Sequence, residues 1–580
     1  MKFLKYLSHY RWQILLLFAG LGLQVWGALE LPTMMSQIVN RGVVGGDQHF
    51  ILTQGGWMLL TALIGGCGML IASFFASRIA GGLAKTLRKE VYTKTMSFSI
   101  TELNQFSISS LITRSTNDVT QIQMVTMMVL RMGFQAPLMG IGAILKALDT
   151  APSMTRIIML AIASLFVAIA TIFLVVMPKF TLLQKLVDKL NLVGRENLTG
   201  LRVVRAFNKE HYEEQKFEGT NKELTRLNLF VNKVIGLTFP FVQLVLNFTT
   251  LGIIRFGAGA IESGVIEVGS MMAFLQYAML VMMSFMFLTM MFIMVPRATV
   301  SRKRITEVLN TPLSIQPPKH PQTPPADKHG EVEFRDVSFM YADGSEPVLN
   351  HVNFTAKAGQ TTAFIGSTGS GKSTLINLIP RFYDVTGGQV LVDGLDVREY
   401  DPEVLMKKIG IVPQKSVLFS GTIASNIGFG SEDLPLEELA NSARTAQASD
   451  FIEELEEGYD APIAQGGSNV SGGQKQRLSI ARVIAKKPEI YIFDDSFSAL
   501  DFKTDLALRQ ALKPLTKEAA VLIIAQRVGT IKHADQIIVL DQGNIVGKGT
   551  HAELLRDCEV YREIASSQLS EEELREEMRG

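Results

Sequence analysis

The sequence predicts a multi-domain chain, an all-α six-helix transmembrane domain followed by an α/β P-loop domain, on three observations. Six apolar segments, at 12–34, 55–79, 122–147, 154–177, 235–258 and 267–296, crowd the first part of the 580 residues, each near the ~20 residues a helix needs to cross a bilayer. The remainder has ordinary globular composition. Within it a short β-rich run, Thr361 to Ile365, leads into a glycine-rich loop, Gly366 to Ser373, and a helical pattern from Thr374 to Ile379 follows. The expected organisation is a transmembrane domain over 1–305, a Pro-rich linker over 306–330 and the second domain over 331–580.

Basic residues beside the spans set the orientation. Lys2, Lys5 and Arg11 precede the first span; Arg78, Lys85, Arg88, Lys89 and Lys94 follow the second; Lys179, Lys185, Lys189, Arg195, Arg202, Arg205 and Lys209 follow the fourth. Lys and Arg are retained on the cytoplasmic side, so a multi-pass protein of the cell membrane is expected, with its N-terminus, both long loops and second domain in the cytoplasm. Met1 to Arg11 sets Phe3, Leu4 and Leu7 beside Lys2 and Lys5 with no small-residue cleavage site after it, and reads as an interfacial helix. Cys67 and Cys558 are the only cysteines, so there is no disulfide framework, and a net charge of +1 gives no basis for a nucleic-acid partner.

The stretches after spans two and four keep a helical pattern with few Gly or Pro breaks. At ~1.5 Å per residue such helices project well beyond a bilayer. Pro317-Pro318-Lys319-His320-Pro321 to Pro324-Pro325 then reads as an extended, exposed linker.

Gly366-Ser367-Thr368-Gly369-Ser370-Gly371-Lys372-Ser373 carries the first chemistry. Its glycines let backbone amides converge on phosphate at the start of a helix that includes Thr374, Lys372 supplies charge to the β and γ oxygens, and the Ser373 hydroxyl suits Mg²⁺. A second acidic strand is needed to position that ion, and Ile490-Tyr491-Ile492-Phe493 ending in Asp494 has the continuous apolar character of a buried parallel strand.

With these elements the chain resembles one half of an ATP-binding cassette exporter, a six-span membrane domain fused to one nucleotide-binding domain. The most specific element is Val470-Ser471-Gly472-Gly473-Gln474-Lys475-Gln476-Arg477, close to the family signature. Ser471 and the Gly472 and Gly473 amides open a helix whose positive end can face a γ-phosphate, and the resemblance implies that this phosphate belongs to ATP held by the other subunit. It further implies that Tyr341 stacks on adenine, that Gln414 senses Mg²⁺ and the γ-phosphate, and that Ser498-Ala499-Leu500-Asp501 crosses between two nucleotide domains. ATP and Mg²⁺ are the implied cofactors, with Ser373, Gln414 and Asp494 around the metal.

Two positions depart from the family pattern. Asp495 stands where the general-base Glu is expected, and Gln526, in Ile524-Ala525-Gln526-Arg527, where the switch His is expected. Asp is shorter by one methylene, setting its carboxylate back by ~1.5 Å, and a misplacement of about 1 Å costs ~10²-fold in rate. Gln526 donates a hydrogen bond but carries no positive charge. Gln465, before Gly466 and Gly467, replaces an acidic residue common in exporters. This pattern resembles the degenerate half of a bacterial heterodimeric multidrug exporter, whose partner supplies a Glu and a His; a homodimer would hold two weakened sites.

The expected cargo is a drug or other amphipathic small molecule. Span six is dense in Met, with Met271, Met272, Met279, Met282, Met283, Met286, Met290, Met291 and Met294, and thioethers suit a surface that repacks around varied apolar ligands, although packed or lipid-facing helices use Met as well. Span five contributes Phe239, Phe241, Gln243 and Asn247, and other spans Gln24, Gln135 and Gln276, polar groups expected to face the bundle interior. No acidic cluster of the kind that favours proton coupling lies at mid-membrane; Glu30, in span one, is the exception to watch, although a helix-end position facing the outer water also explains it. Phe98 to Leu103 and Leu201 to Phe207 match the family's coupling positions. Lipid or peptide export, or a regulatory subunit that binds nucleotide without transport, are the alternatives.

Overall fold

The computed structural model describes residues 6, 8–342, 344–431, 434–498, 500–514, 516–570, 572 and 574. The interfacial reading of Met1–Arg11 falls partly outside this set, as does Ala499. The chain forms two compact units, one of residues 1–96 and 108–311, the other of 97–107 and 312–580.

The first unit holds six helices long and apolar enough to cross a membrane: α1 (Arg11–Val43), α2 (Gln48–Met96), α4 (Ile108–Thr150), α5 (Thr155–Thr199), α7 (Glu210–Glu262) and α8 (Val268–Asn310). Two short helices, α3 (Ile100–Gln105) and α6 (Leu201–Ala206), sit at the turns between long ones. A helix meets most of its backbone hydrogen bonds within itself, the condition for crossing hydrocarbon. Five long helices carry one proline each, Pro32, Pro137, Pro178, Pro240 and Pro296; α2, at 49 residues, carries none.

Glycine decides how α1 meets α2. A Cβ on Gly20 would lie 2.8 Å from the Gly68 carbonyl oxygen, and one on Gly68 2.6 Å from that of Gly20, so the two backbones touch at this crossing. Leu17, Leu21, Ala72, Ala76 and Ile79 close around it. Toward the other end of α4, Arg114 donates to the Arg304 carbonyl and to Glu307, both at 2.8 Å, and Asp118 accepts from Ser301 at 2.8 Å, fastening α4 to α8.

Glu30 has a partner: its carboxylate pairs with Lys146 Nζ of α4 at 2.7 Å, and beside it Tyr277 of α8 shares a hydrogen bond with Thr33 at 2.7 Å and donates to the Leu29 carbonyl. An ionised group among apolar helices needs such a partner. Gln135 is buried as expected, whereas Gln243 and Asn247 bond each other at 3.2 Å on an exposed face of α7.

α8 runs to Asn310, past the expected limit at 305, and the units part at Thr311/Pro312. Ser97–Ser107 groups with the second unit. There Glu102 is buried, accepting from the Ser99 and Ser314 backbone amides at 2.7 and 2.9 Å; burial works against its charge, but these bonds prevail and hold its carboxyl below the ordinary value.

The described residues of the second unit form two large sheets and a short two-stranded one, Gly421–Thr422 against Pro462–Ile463. One large sheet is ordered β2 (Leu349–Ala356), β1 (Val332–Phe339), β4 (Gly387–Val392), β5 (Leu395–Asp396). The other is ordered β10 (Asn544–Gly549), β9 (Gln536–Asp541), β3 (Thr361–Gly366), β8 (Ala520–Ile524), β7 (Ile490–Asp494), β6 (Ile409–Val412), and β9, β3, β8, β7 and β6 run parallel. Strand alternation splits the core: Tyr491 and Phe493 enter one cluster, Ile490 and Ile492 the other. The carboxyl ends of β3, β8, β7 and β6 therefore lie side by side, the edge where α/β sheets bind ligands.

Candidate functional site

Each strand delivers one group to that edge. β3 turns through the phosphate loop into α9 (Lys372–Leu378), β7 ends in Asp494, and Gln414 and Gln526 lie just beyond β6 and β8. The loop bends where only glycine fits: Gly371 has φ 97°, and a Cβ on it would meet the Val348 carbonyl oxygen at 2.9 Å, while one on Gly366 would lie 2.0 Å from that of Leu540. Thr368, Gly369, Gly371, Lys372, Ser373, Thr374, Gln414, Asp494, Asp495 and Gln526 line a single cavity of about 310 Å³.

Lys372 Nζ donates to the Gly366 and Ser367 carbonyls at 2.9 and 2.7 Å and to Ser370 Oγ at 3.3 Å. Burial pushes its pKa down, opposed by the charges of Asp495 and Asp494. Ser373 Oγ donates to Asp494 Oδ1 at 3.2 Å. Burial raises the carboxyls of both Asp494 and Asp495. A hydroxyl, a carboxylate and an amide oxygen form a hard donor set, suited to Mg²⁺ that takes its remaining ligands from phosphates and water.

Asp495 stands in the left-handed region at φ 48°, where Asp is among the better-tolerated residues. Its N–H donates to the Ile524 carbonyl at 3.0 Å and its carbonyl accepts from Ser498 Oγ at 2.8 Å. Its Oδ2 accepts from Gln526 Nε2 at 2.9 Å and from Gln414 Nε2 at 3.4 Å. One participant escaped sequence reading: Gln568, after helix α12 (Glu559–Ser566), donates to the Gln526 carbonyl and accepts from the Val528 N–H, both at 2.8 Å. No motif marks it.

Tyr341 lies beside the site, its hydroxyl sharing a 2.8 Å hydrogen bond with Thr374 and its ring set edge-on to Phe339 and Tyr383. The signature residues do not line the cavity. Ser471 caps α10 (Gly472–Lys486), its Oγ accepting from the Gln474 N–H at 3.3 Å while Gln474 Oε1 accepts from the Ser471 N–H at 2.8 Å. Ser471 and Gly472 are exposed, and the positive end of this 15-residue helix faces outward. Asp501 likewise caps α11 (Phe502–Leu512), accepting from the Thr504 N–H and hydroxyl at 3.0 and 2.7 Å.

In the first unit, Met282, Met286 and Met290 line one cavity of about 180 Å³ with Leu165, Val242 and Phe285. α6 has no buried residue, and Phe207 beyond it is exposed.

A phosphate-binding loop facing an acidic strand, joined to six membrane-length helices, defines an ATP-hydrolysing multi-pass membrane transporter. The family model for the ABC transporter transmembrane region matches residues 14–285, and that for the ABC transporter domain matches 349–498. An uncharacterized ABC transporter ATP-binding protein of Mycobacterium tuberculosis (strain CDC 1551 / Oshkosh) is 41% identical over 545 residues, 93% of each chain. One from Bacillus subtilis (strain 168) is 37% identical over 94% of this chain and 95% of its own, and an ATP-dependent lipid A-core flippase of Syntrophus aciditrophicus is 32% identical over 90% and 86%. The fold matches that of a bacterial Atm1-family ABC exporter solved with ATP bound, at a TM-score of 0.81 and 24% identity, over 97% of this chain and 99% of that one. The chain belongs to the ABC transporter family, as a half-transporter with the exporter fold.

Proposed function

We propose that this chain is the slow-site subunit of a heterodimeric exporter of drugs or other amphipathic compounds in the cell membrane, with its N-terminus and nucleotide domain in the cytoplasm. Its phosphate loop, Ser373, Gln414 and Asp494 hold ATP with Mg²⁺, and Tyr341 stacks on the adenine. Ser471 to Gln474 complete the active site of a different half-transporter that carries the Glu and His missing here. The observation that carries this reading is the contrast within one cavity: a complete phosphate cradle beside a shortened carboxylate bonded to an amide. The purified chain is expected to bind MgATP, measured by equilibrium titration, while hydrolysing it at least ~10²-fold more slowly than an exporter with a Glu base. Robust turnover by the chain alone overturns the slow-site reading.

The Met-lined cavity supports an apolar, variable cargo. Replacing Met282, Met286 and Met290, which share one helical face, by Ala is expected to change which dyes the complex exports more than it changes basal ATPase. A uniform loss across dyes together with lost expression assigns these residues to packing.

A second reading, lipid export, is favoured by the relative named a lipid A-core flippase. Reconstituted vesicles with fluorescent lipids in one arm and dyes in the other separate the two.

A further inference from the structure

Two of the residues that depart from the family pattern, Asp495 and Gln526, touch each other. Gln526 Nε2 donates to Asp495 Oδ2 at 2.9 Å, and Gln414 Nε2 approaches the same oxygen at 3.4 Å. Both sides of the contact are fixed from behind. Asp495 is held through its N–H on Ile524 and its carbonyl under Ser498, in a left-handed backbone conformation. Gln526 is held through Gln568, which brackets it by bonds to its carbonyl and to the Val528 N–H.

In ATP hydrolysis the water oxygen bonds to the γ-phosphorus, the bond from that phosphorus to the β–γ bridging oxygen breaks, and the water proton passes to the base; ADP and phosphate leave. A base must therefore offer a carboxylate oxygen to water within hydrogen-bond reach. Here one of the two carboxylate oxygens, Oδ2, already carries amide donors, which fix the direction in which the carboxylate can face. Resting on the slow-site reading, we propose that Asp495 and Gln526 form a closed carboxylate–amide latch, a single unit that preserves bound ATP, so that restoring the family residue at one position alone leaves the site slow. Glu at 495 advances the carboxylate by ~1.5 Å, yet the amide of Gln526 donates to a carboxylate of either length. His at 526 removes the amide but leaves the carboxylate set back.

The test uses the complex that the full chain forms in the membrane. It is incubated with azido-ATP labelled in either the α- or the γ-phosphate, in the presence of Mg²⁺, and photocrosslinked; the label on this chain is then counted after separation. The γ-to-α ratio is the fraction of its nucleotide left unhydrolysed. Wild type, Asp495→Glu and Gln526→His are expected to stay near one, and the double variant to fall below about one tenth, a rate gain beyond the product of the single effects. A single substitution that lowers the ratio as far as the double overturns the latch, as does a double variant that stays near one. A low ratio in wild type instead overturns the slow-site reading. If α-label is lost from the variants, a melting cycle on the full chain decides: Asp495→Ala, Gln526→Ala and their combination are expected to show one shared loss of melting temperature, and additive losses overturn the latch.

Discussion

Replacing Gly472 by Val is expected to abolish nearly all ATPase of the assembled transporter while leaving nucleotide bound to this chain. A Cβ at Gly472 meets nothing within 4 Å, so the chain's own fold tolerates the change. What it blocks is close approach of another molecule's phosphate to the exposed amides at the start of α10. Removing one donor to developing transition-state charge costs about 10²- to 10³-fold in rate, and a side chain that bars the approach costs at least that much. Ser471→Ala removes the hydroxyl as well as the helix cap, about 1 kcal/mol of local stability, so it is the less clean variant. Steady-state ATPase of the complex, with ATP binding to this chain titrated separately, checks the prediction. Asp495→Asn is expected to change the same rate far less. Should Asp495→Asn prove the more damaging, the active and slow sites are reversed.

The second large effect is on assembly of the membrane domain. Gly68→Leu places a side chain where even a Cβ lies 2.6 Å from the Gly20 carbonyl oxygen and 2.8 Å from the Leu23 Cβ. Neither backbone can yield cheaply, so α1 and α2 must separate, and the packing of Leu17 and Leu21 against Ala72 and Ala76 goes with the contact. Overpacking alone costs about 1–3 kcal/mol, and loss of the crossing adds to it. The expected result in a detergent melting assay is a large fall in the folded fraction. Gly22→Leu, where nothing lies within 4 Å, serves as the control and is expected to stay within about 0.5 kcal/mol of wild type.

Spans, the phosphate loop and the acidic strand were legible because each rests on local pattern: twenty apolar residues, a glycine spacing, a buried strand ending in a carboxylate. The cap at Ser471 was legible for the same reason, since a side chain three residues on returns the bond. What escaped was long-range. Glu30 finds Lys146 across 116 positions, and Gln568 reaches Gln526 across 42, through pairings no local rule encodes. The contact of Gln526 with Asp495 depends on β7 and β8 being neighbours, which the apolar runs alone do not state. Phe98 to Leu103 reads as an amphipathic helix segment, and nothing in its composition says that Ser97–Ser107 groups with the second unit.

The proline pattern of the long helices has a mechanical meaning. A proline deletes one backbone hydrogen bond, so five of these helices lack one bond of their ladder and α2 is free of that interruption. At 49 residues it is ~74 Å long, more than twice the ~30 Å of the hydrocarbon core. Tilting such a rod by about 5° about one end sweeps the other by about 6 Å, one helical turn. At that length a small change in the tilt of α2 within the bilayer becomes a displacement of about one turn at its far end.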